Sequence, residues 1–348
     1  MSHNLDPILR AWDWPTPPRA TPLTSGLINA SWRVDGDHGP LGALQRLNTR
    51  IFKPSVHEDI DAVTAHLAAK GLPTPRLVRT RAGGLWHEDD GGVWRVLTWL
   101  GARTVDAITH PDEARSAGAL VARFHGAVAD LDWTFQHVRP GPHDTNRHAA
   151  TLAAALDAHR DHALYDAVAP LAQGLLERWR VLAPQIPDLP LRVIHGDLKI
   201  SNVRFDGHDA LTLIDLDTLA RDTLGAELGD AMRSWCGTAG EDVAQAAFDL
   251  DIFEAAMRGY ASAAAAWGPT DDEWAAVVTS TERIATELAM RFAADALNES
   301  YFGWDKARFA RAGDHNLLRA RGQASLADAV STARADAERR LVAARTRH

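Results

Sequence analysis

The sequence predicts an α+β fold with two lobes: a small N-terminal lobe of antiparallel strands with a helix, and a large, mainly helical C-terminal lobe. Two observations lead to this prediction. With 348 residues, the chain exceeds the size at which a single hydrophobic core usually stops growing. After Gly101 its pattern changes from alternating, strand-like segments to long alanine-rich helical stretches. We therefore expect an N-lobe of residues 1–101, which binds nucleotide, and a C-lobe of residues 102–348.

Individual segments predict the elements of each lobe. Residues 1–20 predict a short amphipathic helix followed by a proline-rich link. Apolar residues alternate in four segments that predict strands: Ala30–Val34, Ala43–Leu47, Leu77–Arg79 and Val93–Leu97. The segment Pro54–Lys70 repeats apolar residues at helical spacing, which predicts a helix ended by Gly71. The charged stretch Gln323–Arg347 predicts a solvated helix.

The segment from Val193 to Asp217 is the most informative for function. It reads VIHGDLKISNVRFDGHDALTLIDLD, and its two apolar-rich runs, 203–205 and 211–214, are joined by the turn-forming sequence D-G-H-D. A hairpin over these runs would bring Asp215 back beside Asn202. The sequence therefore predicts one cluster of polar side chains at the end of this hairpin.

These side chains are the set that phosphoryl transfer requires, since that reaction is catalysed mostly by positioning and by neutralisation of charge. Asp197 would accept or orient the proton of the acceptor hydroxyl, and Lys199 would reach the transferring phosphate. The amide oxygen of Asn202 and the carboxylate of Asp215 suit a hard cation such as Mg²⁺. His195 is expected to brace the loop. An H-x-D pair also occurs in metal-dependent phosphoesterases, but the following Asn202 and the hairpin-spaced Asp215 favour a kinase.

The motifs H-G-D-L-K-I-S-N and L-I-D-L-D resemble those of the aminoglycoside phosphotransferase and choline kinase superfamily. Further segments between residues 23 and about 319 resemble N-acetylhexosamine 1-kinases: LTSGLINA, LQRLN, WRV, GDAMR, MRFAAD and HNLLR. The resemblance covers both lobes. It implies a bilobal protein-kinase-like fold, ATP and Mg²⁺ as cofactors, and a small sugar as the acceptor.

The resemblance also implies where a nucleotide would bind. Ser25 and Gly26 would form the turn over the phosphates. Backbone groups of the linker between the lobes would contact adenine, at Thr98, Trp99 and Leu100. The position where most kinases carry a strand lysine is Gln45 here, and we include it among the nucleotide contacts. Glu58, on the next helix, is then either the acidic partner of an ion pair or a solvated helix residue.

For the acceptor, the resemblance maps an arginine and a tyrosine of the sugar site onto Arg291 and Tyr301. Asp217 and Asp230 could also face the acceptor, although Asp230 lies one helical turn from Arg233 and could pair with it. The specific expectation is transfer of the γ-phosphate of ATP to the anomeric hydroxyl of an N-acetylhexosamine. Two alternatives stay open: a kinase of another acceptor, such as an aminoglycoside, glucosamine or an amino alcohol, and a nucleotide-binding pseudokinase that regulates a partner.

Composition argues against several other classes of protein. The formal net charge of −9 and the lack of a basic cluster argue against a nucleic-acid partner. No apolar run approaches the roughly 18 residues of a membrane span, and no basic segment followed by an apolar stretch marks a secretory signal. The single cysteine, Cys236, allows no intramolecular disulfide and is expected to be a small buried hydrophobe. We therefore expect a cytoplasmic enzyme with a small-molecule substrate.

Overall fold

The computed structural model describes residues 5–23, 28–101, 103–138, 141–237 and 240–346. These residues form a small N-terminal lobe around a five-stranded sheet, and a larger lobe of helices with two short pairs of strands. The predicted α+β architecture is therefore confirmed. The boundary near residue 101 stays a prediction.

The N-terminal lobe contains, in chain order, α1 Asp6–Leu9, β1 Arg19–Leu23, β2 Ala30–Gly36, β3 Gly39–Arg46, α2 Val56–Ala69, β4 His87–Asp89 and β5 Gly92–Leu97. All neighbouring strands are antiparallel, in the order β1-β2-β3-β5-β4. The register places Gln45 of β3 directly opposite Arg95 of β5. Helix α2 ends as predicted at Gly71, whose φ of 76° no helical residue adopts.

The first residues of the lobe differ from the prediction. Only one helical turn, Asp6–Leu9, forms, and the expected proline-rich link already contains β1. Pro22 lies in β1 opposite Trp32. Because β1 is the edge strand of the sheet, one of its sides needs no hydrogen-bond donor and a proline is tolerated there. The sequence does not predict β4, and the strand expected at Leu77–Arg79 is reduced to a single bridge with β5.

The C-terminal lobe contains α3 Pro111–Val128, α4 Thr145–Ala158, α5 Tyr165–Leu182, β6 Leu191–Ile194, β7 Val203–Asp206, β8 Asp209–Leu213, β9 Ala220–Thr223, α6 Leu224–Cys236, α7 Leu250–Ala264, α8 Asp271–Asn298 and α9 Ala312–Thr346. Strand β6 pairs with β9, and β7 pairs with β8. Helix α9 is charged, but the prediction of a merely solvated helix is wrong, because it buries Leu326, Val330 and Leu341 against its neighbours. Within the described part of the chain, every helix is too short or too polar to cross a membrane.

One hydrophobic core joins the two lobes. Ile60 of α2 belongs to the same buried cluster as Phe124 of α3 and Phe205 of β7. Cys236 lies in this cluster too, as expected, and burial raises the pKa of its thiol well above the usual value. Burial of apolar surface therefore holds α2 of the N-lobe onto the catalytic side of the C-lobe.

Helices α3 and α7 approach each other closely at two glycines. A Cβ atom at Gly118 would lie 2.0 Å from the carbonyl oxygen of Ala256, and one at Gly259 would lie 1.8 Å from the carbonyl oxygen of Arg115. Neither position can hold a larger side chain unless a helix moves.

We expect Gly118→Ala to destabilise the protein by roughly 1–3 kcal/mol, because the added methyl group would force α3 and α7 apart. Urea denaturation would measure the change in the free energy of unfolding. The matched control is Gly174→Ala in the exposed interior of α5, where nothing lies within 4 Å of the added Cβ. Helix propensity predicts that this control gains about 0.5–1 kcal/mol. Equal effects of the two substitutions would contradict the close packing.

Candidate active site

Two short strand pairs bring the predicted catalytic residues together. Strand β6 leads into the loop that holds Asp197, and a 3₁₀ turn, Ile200–Asn202, ends that loop. The β7–β8 hairpin then returns the chain, and the N–H group of Ile214 donates to the carbonyl oxygen of Asn202 at 2.9 Å. Asp215 therefore lies beside Asn202, and the predicted hairpin is confirmed.

Lys199 and Asn202 converge on the carboxylate of Asp197. Lys199 Nζ lies 2.7 Å from Asp197 Oδ2 and 3.9 Å from Asp215 Oδ2. Asn202 Nδ2 donates to the carbonyl oxygen of Asp197 at 2.9 Å and to its Oδ2 at 3.0 Å. Because its amide nitrogen is engaged in this way, Asn202 still offers its amide oxygen as an acceptor. The structure thus places all four of these residues in one cluster.

Negative charge is concentrated at Asp215. Burial and the charges of Asp217 and Asp197 raise the pKa of Asp215 to about 6. Burial alone would raise the pKa of Asp197 as well, but the charge and hydrogen bond of Lys199 hold it below the usual value. Burial alone would lower the pKa of Lys199, yet the charges of Asp197 and Asp215 raise it. One lysine therefore faces two carboxylates, and a divalent cation would offset the excess negative charge.

Asp215 has an unusual backbone conformation that its neighbours impose. Its φ of 66° and ψ of 58° are left-handed, which is uncommon for a residue other than glycine. On one side, His195 Nε2 donates to the carbonyl oxygen of Ile214 at 2.9 Å. The hydroxyl of Thr218 donates to the carbonyl oxygen of His195 at 2.8 Å. The buried His195 thus braces the loop, as the sequence predicts.

Glu227 of α6 provides a second brace that the sequence does not single out. Its two carboxylate oxygens accept hydrogen bonds from the N–H groups of His195 at 2.8 Å and Gly196 at 2.9 Å. His125 Nε2 of α3 lies 3.2 Å from the same carboxylate. Burial alone would raise the pKa of Glu227, but the hydrogen bond and charge of His125 hold it below the usual value. In the sequence, this role could have been inferred from a glutamate that lies in an otherwise apolar helical turn.

Asp217 and Gln45 both bond to Arg95, where the two lobes meet. Both carboxylate oxygens of Asp217 pair with Arg95 of β5, and Arg95 Nη2 lies 2.8 Å from Asp217 Oδ2. Asn29 Nδ2 donates to the same carboxylate at 2.6 Å. Gln45 Oε1 accepts a hydrogen bond from Arg95 Nε at 2.9 Å. Contact of Gln45 with nucleotide and of Asp217 with the acceptor stay predictions, while Arg95 and Asn29 carry no predicted role.

Helix α2 presents a histidine, not Glu58, to this contact. Glu58 is exposed and forms no ion pair with the described residues, so it is a solvated helix residue. His57 is buried and stacks on Trp86 with ring centroids 5.2 Å apart. Burial and the nearby charge of Arg95 lower the pKa of His57 to about 4, so the side chain is neutral at pH 7.

The predicted nucleotide contacts are described only in part. Ser25 and Gly26 lie outside the described residues. The N–H group of Thr98 donates to the carbonyl oxygen of Arg76 at 2.8 Å, and the Thr98 hydroxyl accepts from the Arg76 N–H group at 2.9 Å. Because its N–H group is already bonded, Thr98 would contact adenine through its carbonyl group, and this contact stays a prediction.

Trp99 lies between two arginines of different lobes. The guanidinium carbon of Arg33 is 5.4 Å from the Trp99 ring centroid, and that of Arg204 is 5.5 Å from it. These are cation–π distances. The contact holds the linker at Trp99 against β2 of the N-lobe and β7 of the C-lobe. The contacts of Trp99 and Leu100 with adenine stay predictions.

The two residues predicted to contact a sugar lie next to each other. The guanidinium carbon of Arg291, on α8, is 5.9 Å from the ring centroid of Tyr301 and 5.5 Å from that of Phe302. Arg291 makes no ion pair with the described residues. Tyr301 is 56% exposed. The pair therefore offers a guanidinium group beside an accessible aromatic ring, and its contact with an acceptor stays a prediction.

Asp295 holds the loop that carries Tyr301. Its carboxylate accepts hydrogen bonds from the N–H groups of Ser300 at 2.9 Å, Tyr301 at 3.0 Å and Phe302 at 2.8 Å. Asn316 Nδ2 donates to the same carboxylate at 3.0 Å. The MRFAAD and HNLLR motifs, which contribute Asp295 and Asn316, therefore build this loop.

The carboxylates of Asp230 and Glu287 are both paired within the protein. Asp230 pairs with Arg233 at 2.9 Å, as their spacing suggests. Glu287 of α8 bonds to His143 Nδ1 at 3.1 Å and to the hydroxyl of Thr145 at 2.6 Å. Burial alone would raise the pKa of Glu287, but these hydrogen bonds and the charge of His143 lower it to about 2.

Comparison with known proteins relates the chain to phosphotransferases. A sequence model of the phosphotransferase enzyme family (APH) matches residues 19–265. The homoserine kinase of Methylobacillus flagellatus is 28% identical over 284 residues, covering 80% of this chain and 79% of that protein. The homoserine kinase of Methylobacterium radiotolerans is 32% identical over 190 residues, covering 52% of this chain and 55% of that protein.

Solved structures show the same fold at low identity. An amicoumacin kinase in complex with AMP-PNP, Ca²⁺ and Ami is similar with a TM-score of 0.61 and 13% identity, over 90% of this chain and 93% of that chain. A microcompartment-associated aminopropanol kinase is similar with a TM-score of 0.60 and 16% identity, over 96% of this chain and 98% of that chain. These likenesses confirm the expected kinase-like fold.

We expect the contribution of Glu287 to stability to depend on pH. The pKa of Glu287 is about 2 in the folded protein, against an ordinary value of 4.5, so its stabilising effect is present above pH 4.5 and is lost as the pH falls toward 2. The difference in unfolding free energy between the wild type and Glu287→Gln should shrink by roughly 2 kcal/mol between pH 5 and pH 3. Urea denaturation at each pH would measure it, with the exposed Glu88→Gln as control. A difference that is constant over this range would contradict the interpretation.

Proposed function

The chain belongs to the phosphotransferase enzyme family, and from that membership we propose that it is a kinase that transfers the γ-phosphate of ATP to a hydroxyl group of a small molecule. The convergence of Asp197, Lys199, Asn202 and Asp215 in one cluster carries this proposal. A regulatory pseudokinase would be expected to lack one of these residues. Their presence favours an active enzyme, and its need for ATP supports the expected cytoplasmic location.

Asp197 would act on the acceptor hydroxyl. Lys199 and Asn202 both bond to its Oδ2, which leaves Oδ1 to accept the hydroxyl proton. The lowered pKa keeps Asp197 ionised at neutral pH. Phosphoryl transfer passes through a loose transition state, so orientation of the hydroxyl matters more than strong basicity. Lys199 adds a positive charge beside the position of the transferring phosphate.

The donor set at Asp215 fits a divalent cation. Burial and the charges of Asp217 and Asp197 raise the pKa of Asp215, so a cation beside its carboxylate would be favoured, and the amide oxygen of Asn202 adds a second hard donor. Mg²⁺ held by these two residues would neutralise negative charge on the phosphates of ATP. The ATP analogue and Ca²⁺ in the amicoumacin kinase complex support the use of a nucleotide and a divalent metal.

For the acceptor we propose an N-acetylhexosamine, phosphorylated at its anomeric hydroxyl. Arg291, which forms no ion pair with the described residues, can donate to an acetamido carbonyl or to hydroxyls, and Tyr301 can cover the apolar face of a sugar. Asp230 and Glu287 are already paired within the protein. A neutral acceptor therefore suits these described residues better than one with an ammonium group.

Homoserine, or a related amino alcohol, is the second candidate acceptor. It is favoured by the homoserine kinase that is 28% identical over 80% of this chain. Arg291 could then bind the carboxylate of the amino acid, since guanidinium and carboxylate pair in a bidentate manner. The ammonium group would need a carboxylate that is not already paired.

Asp197→Asn should lower the rate of phosphoryl transfer by about 10²–10⁴-fold, because the hydroxyl loses the group that orients it and takes its proton. ATP binding should change little, since Asn keeps the size of the side chain. Rates of ADP release and calorimetric titration with ATP would measure the two effects. The control is Asp209→Asn, an exposed aspartate of the same hairpin, which should behave as wild type. Wild-type turnover in Asp197→Asn would refute the mechanism.

The acceptor is tested by ADP release with N-acetylglucosamine, N-acetylgalactosamine, glucosamine, homoserine and an aminoglycoside, with the product read by phosphorus NMR. A sugar 1-phosphate made only from the acetamido sugars would support the first candidate, and Arg291→Met should then raise the acceptor KM by about tenfold or more with little change in kcat. Turnover with homoserine alone would replace the sugar by the second candidate and keep the kinase.

A further inference from the structure

The contact between Arg95 and Asp217 is the most deeply buried ion pair among the described residues. Each side chain is only 1% exposed. Gln45 Nε2 donates to the hydroxyl of Ser31 at 3.1 Å, and its amide oxygen accepts from Arg95. A buried charge that loses its partner strongly destabilises a protein. The sheet and the loop that holds Asp217 are therefore strongly held in one relative position.

The same contact reaches the end of the predicted phosphate turn. Asn29 donates to Asp217, and its amide oxygen accepts from the N–H group of Asn48 at 2.9 Å. Asn29 and Arg95, from two separate motifs, thus meet at the carboxylate of Asp217, and the LQRLN motif contacts both of them through Gln45 and Asn48. Together these contacts fix the position of Asp217.

Asp215 lies between two anchors. Ile214, just before it, is bonded to His195 and Asn202 of the C-lobe. Asp217, two residues after it, is bonded to Arg95 of the sheet. Asp215, in its left-handed conformation, and Leu216 join these anchors. A left-handed conformation of a residue other than glycine persists only where its surroundings impose it.

We propose that Arg95 is a positioning residue for Asp215, and that it acts through its ion pair with Asp217. The inference rests on the proposed function, because it takes Asp215 as a ligand of Mg²⁺. Contact between the sheet and the loop orients the Asp215 carboxylate toward Asn202, and loss of the contact releases that orientation. Binding of the metal therefore depends on how the two lobes meet. Most kinases carry a lysine at the position of Gln45 on β3. Here the cationic side chain is Arg95 on the neighbouring strand β5, opposite Gln45, and it pairs with the carboxylate of Asp217.

The test needs no acceptor. Calorimetric titration would measure the affinity for ATP over a range of Mg²⁺ concentrations in the wild type and in Arg95→Lys, which keeps the charge but cannot pair in a bidentate manner. Mg²⁺ should strengthen ATP binding in both proteins. We expect the Mg²⁺ concentration that gives half of this effect to be about 10–100-fold higher in Arg95→Lys than in the wild type, as is found when a residue that orients a metal ligand is replaced. The ATP affinity without metal should stay near that of the wild type.

A second variant guards against loss of folding. Arg95→Gln with Asp217→Asn removes both charges, so no buried charge is left unpaired, and it should show the same rise. The control is Arg79→Lys, which alters an ion pair with Asp61 at the surface of the same lobe and should leave the Mg²⁺ dependence unchanged. Wild-type Mg²⁺ dependence in the folded double variant would overturn the role of Arg95. A wild-type protein that binds no ATP would instead refute the proposed function, and this inference with it.

Discussion

The active site depends on one buried carboxylate, that of Glu227. An ionised side chain is stable in a protein interior only where hydrogen bonds replace its water. Glu227 obtains them from the peptide groups of His195 and Gly196 and from His125, which Tyr260 holds in turn at 2.9 Å. These partners tie the loop before Asp197 to α3, α6 and α7. The placement of Asp197, the proposed catalytic residue, is therefore a result of helix packing, and the close crossing of α3 with α7 contributes to it.

The nucleotide side and the acceptor side of the cleft are built on different principles. On the nucleotide side, residues from distant segments meet around Asp215 and Asp217, and the arrangement constrains the chemistry closely. On the proposed acceptor side, Asp230 and Glu287 are paired within the protein, and Arg291 and Tyr301 are the residues that we propose to contact the acceptor. Neighbours with 13% and 16% identity share the fold although their names indicate different acceptors. A fold alone does not determine a substrate, and we propose that residues on α8 and the loop after it select the acceptor here.

Local patterns predicted the parts of this structure that depend on few residues. The D-G turn predicted the β7–β8 hairpin, the helical spacing of apolar residues predicted α2, and the H-x-D-x-x-x-x-N spacing predicted the cluster at Asp197, because each lies within a short stretch of chain. The ion pair of Arg95 with Asp217 spans 122 residues, and the bond of Glu227 to His195 spans 32. Such partners are set by tertiary packing, which no spacing reveals. The proline-rich segment was predicted as a link and not as β1 for the same reason. A proline is tolerated in an edge strand, and only the order of the strands shows that β1 is at the edge.

The burial of Cys236 has a practical consequence. Its thiol lies in the core and its pKa is raised, so the reactive thiolate is scarce and shielded while the protein is folded. The sequence contains no other cysteine. A pair of cysteines introduced at exposed sites, one in each lobe, could therefore carry fluorescent or spin labels without removal of the native residue. The distance between two such labels would report, in solution, whether loss of the contact between Arg95 and Asp217 changes the separation of the lobes.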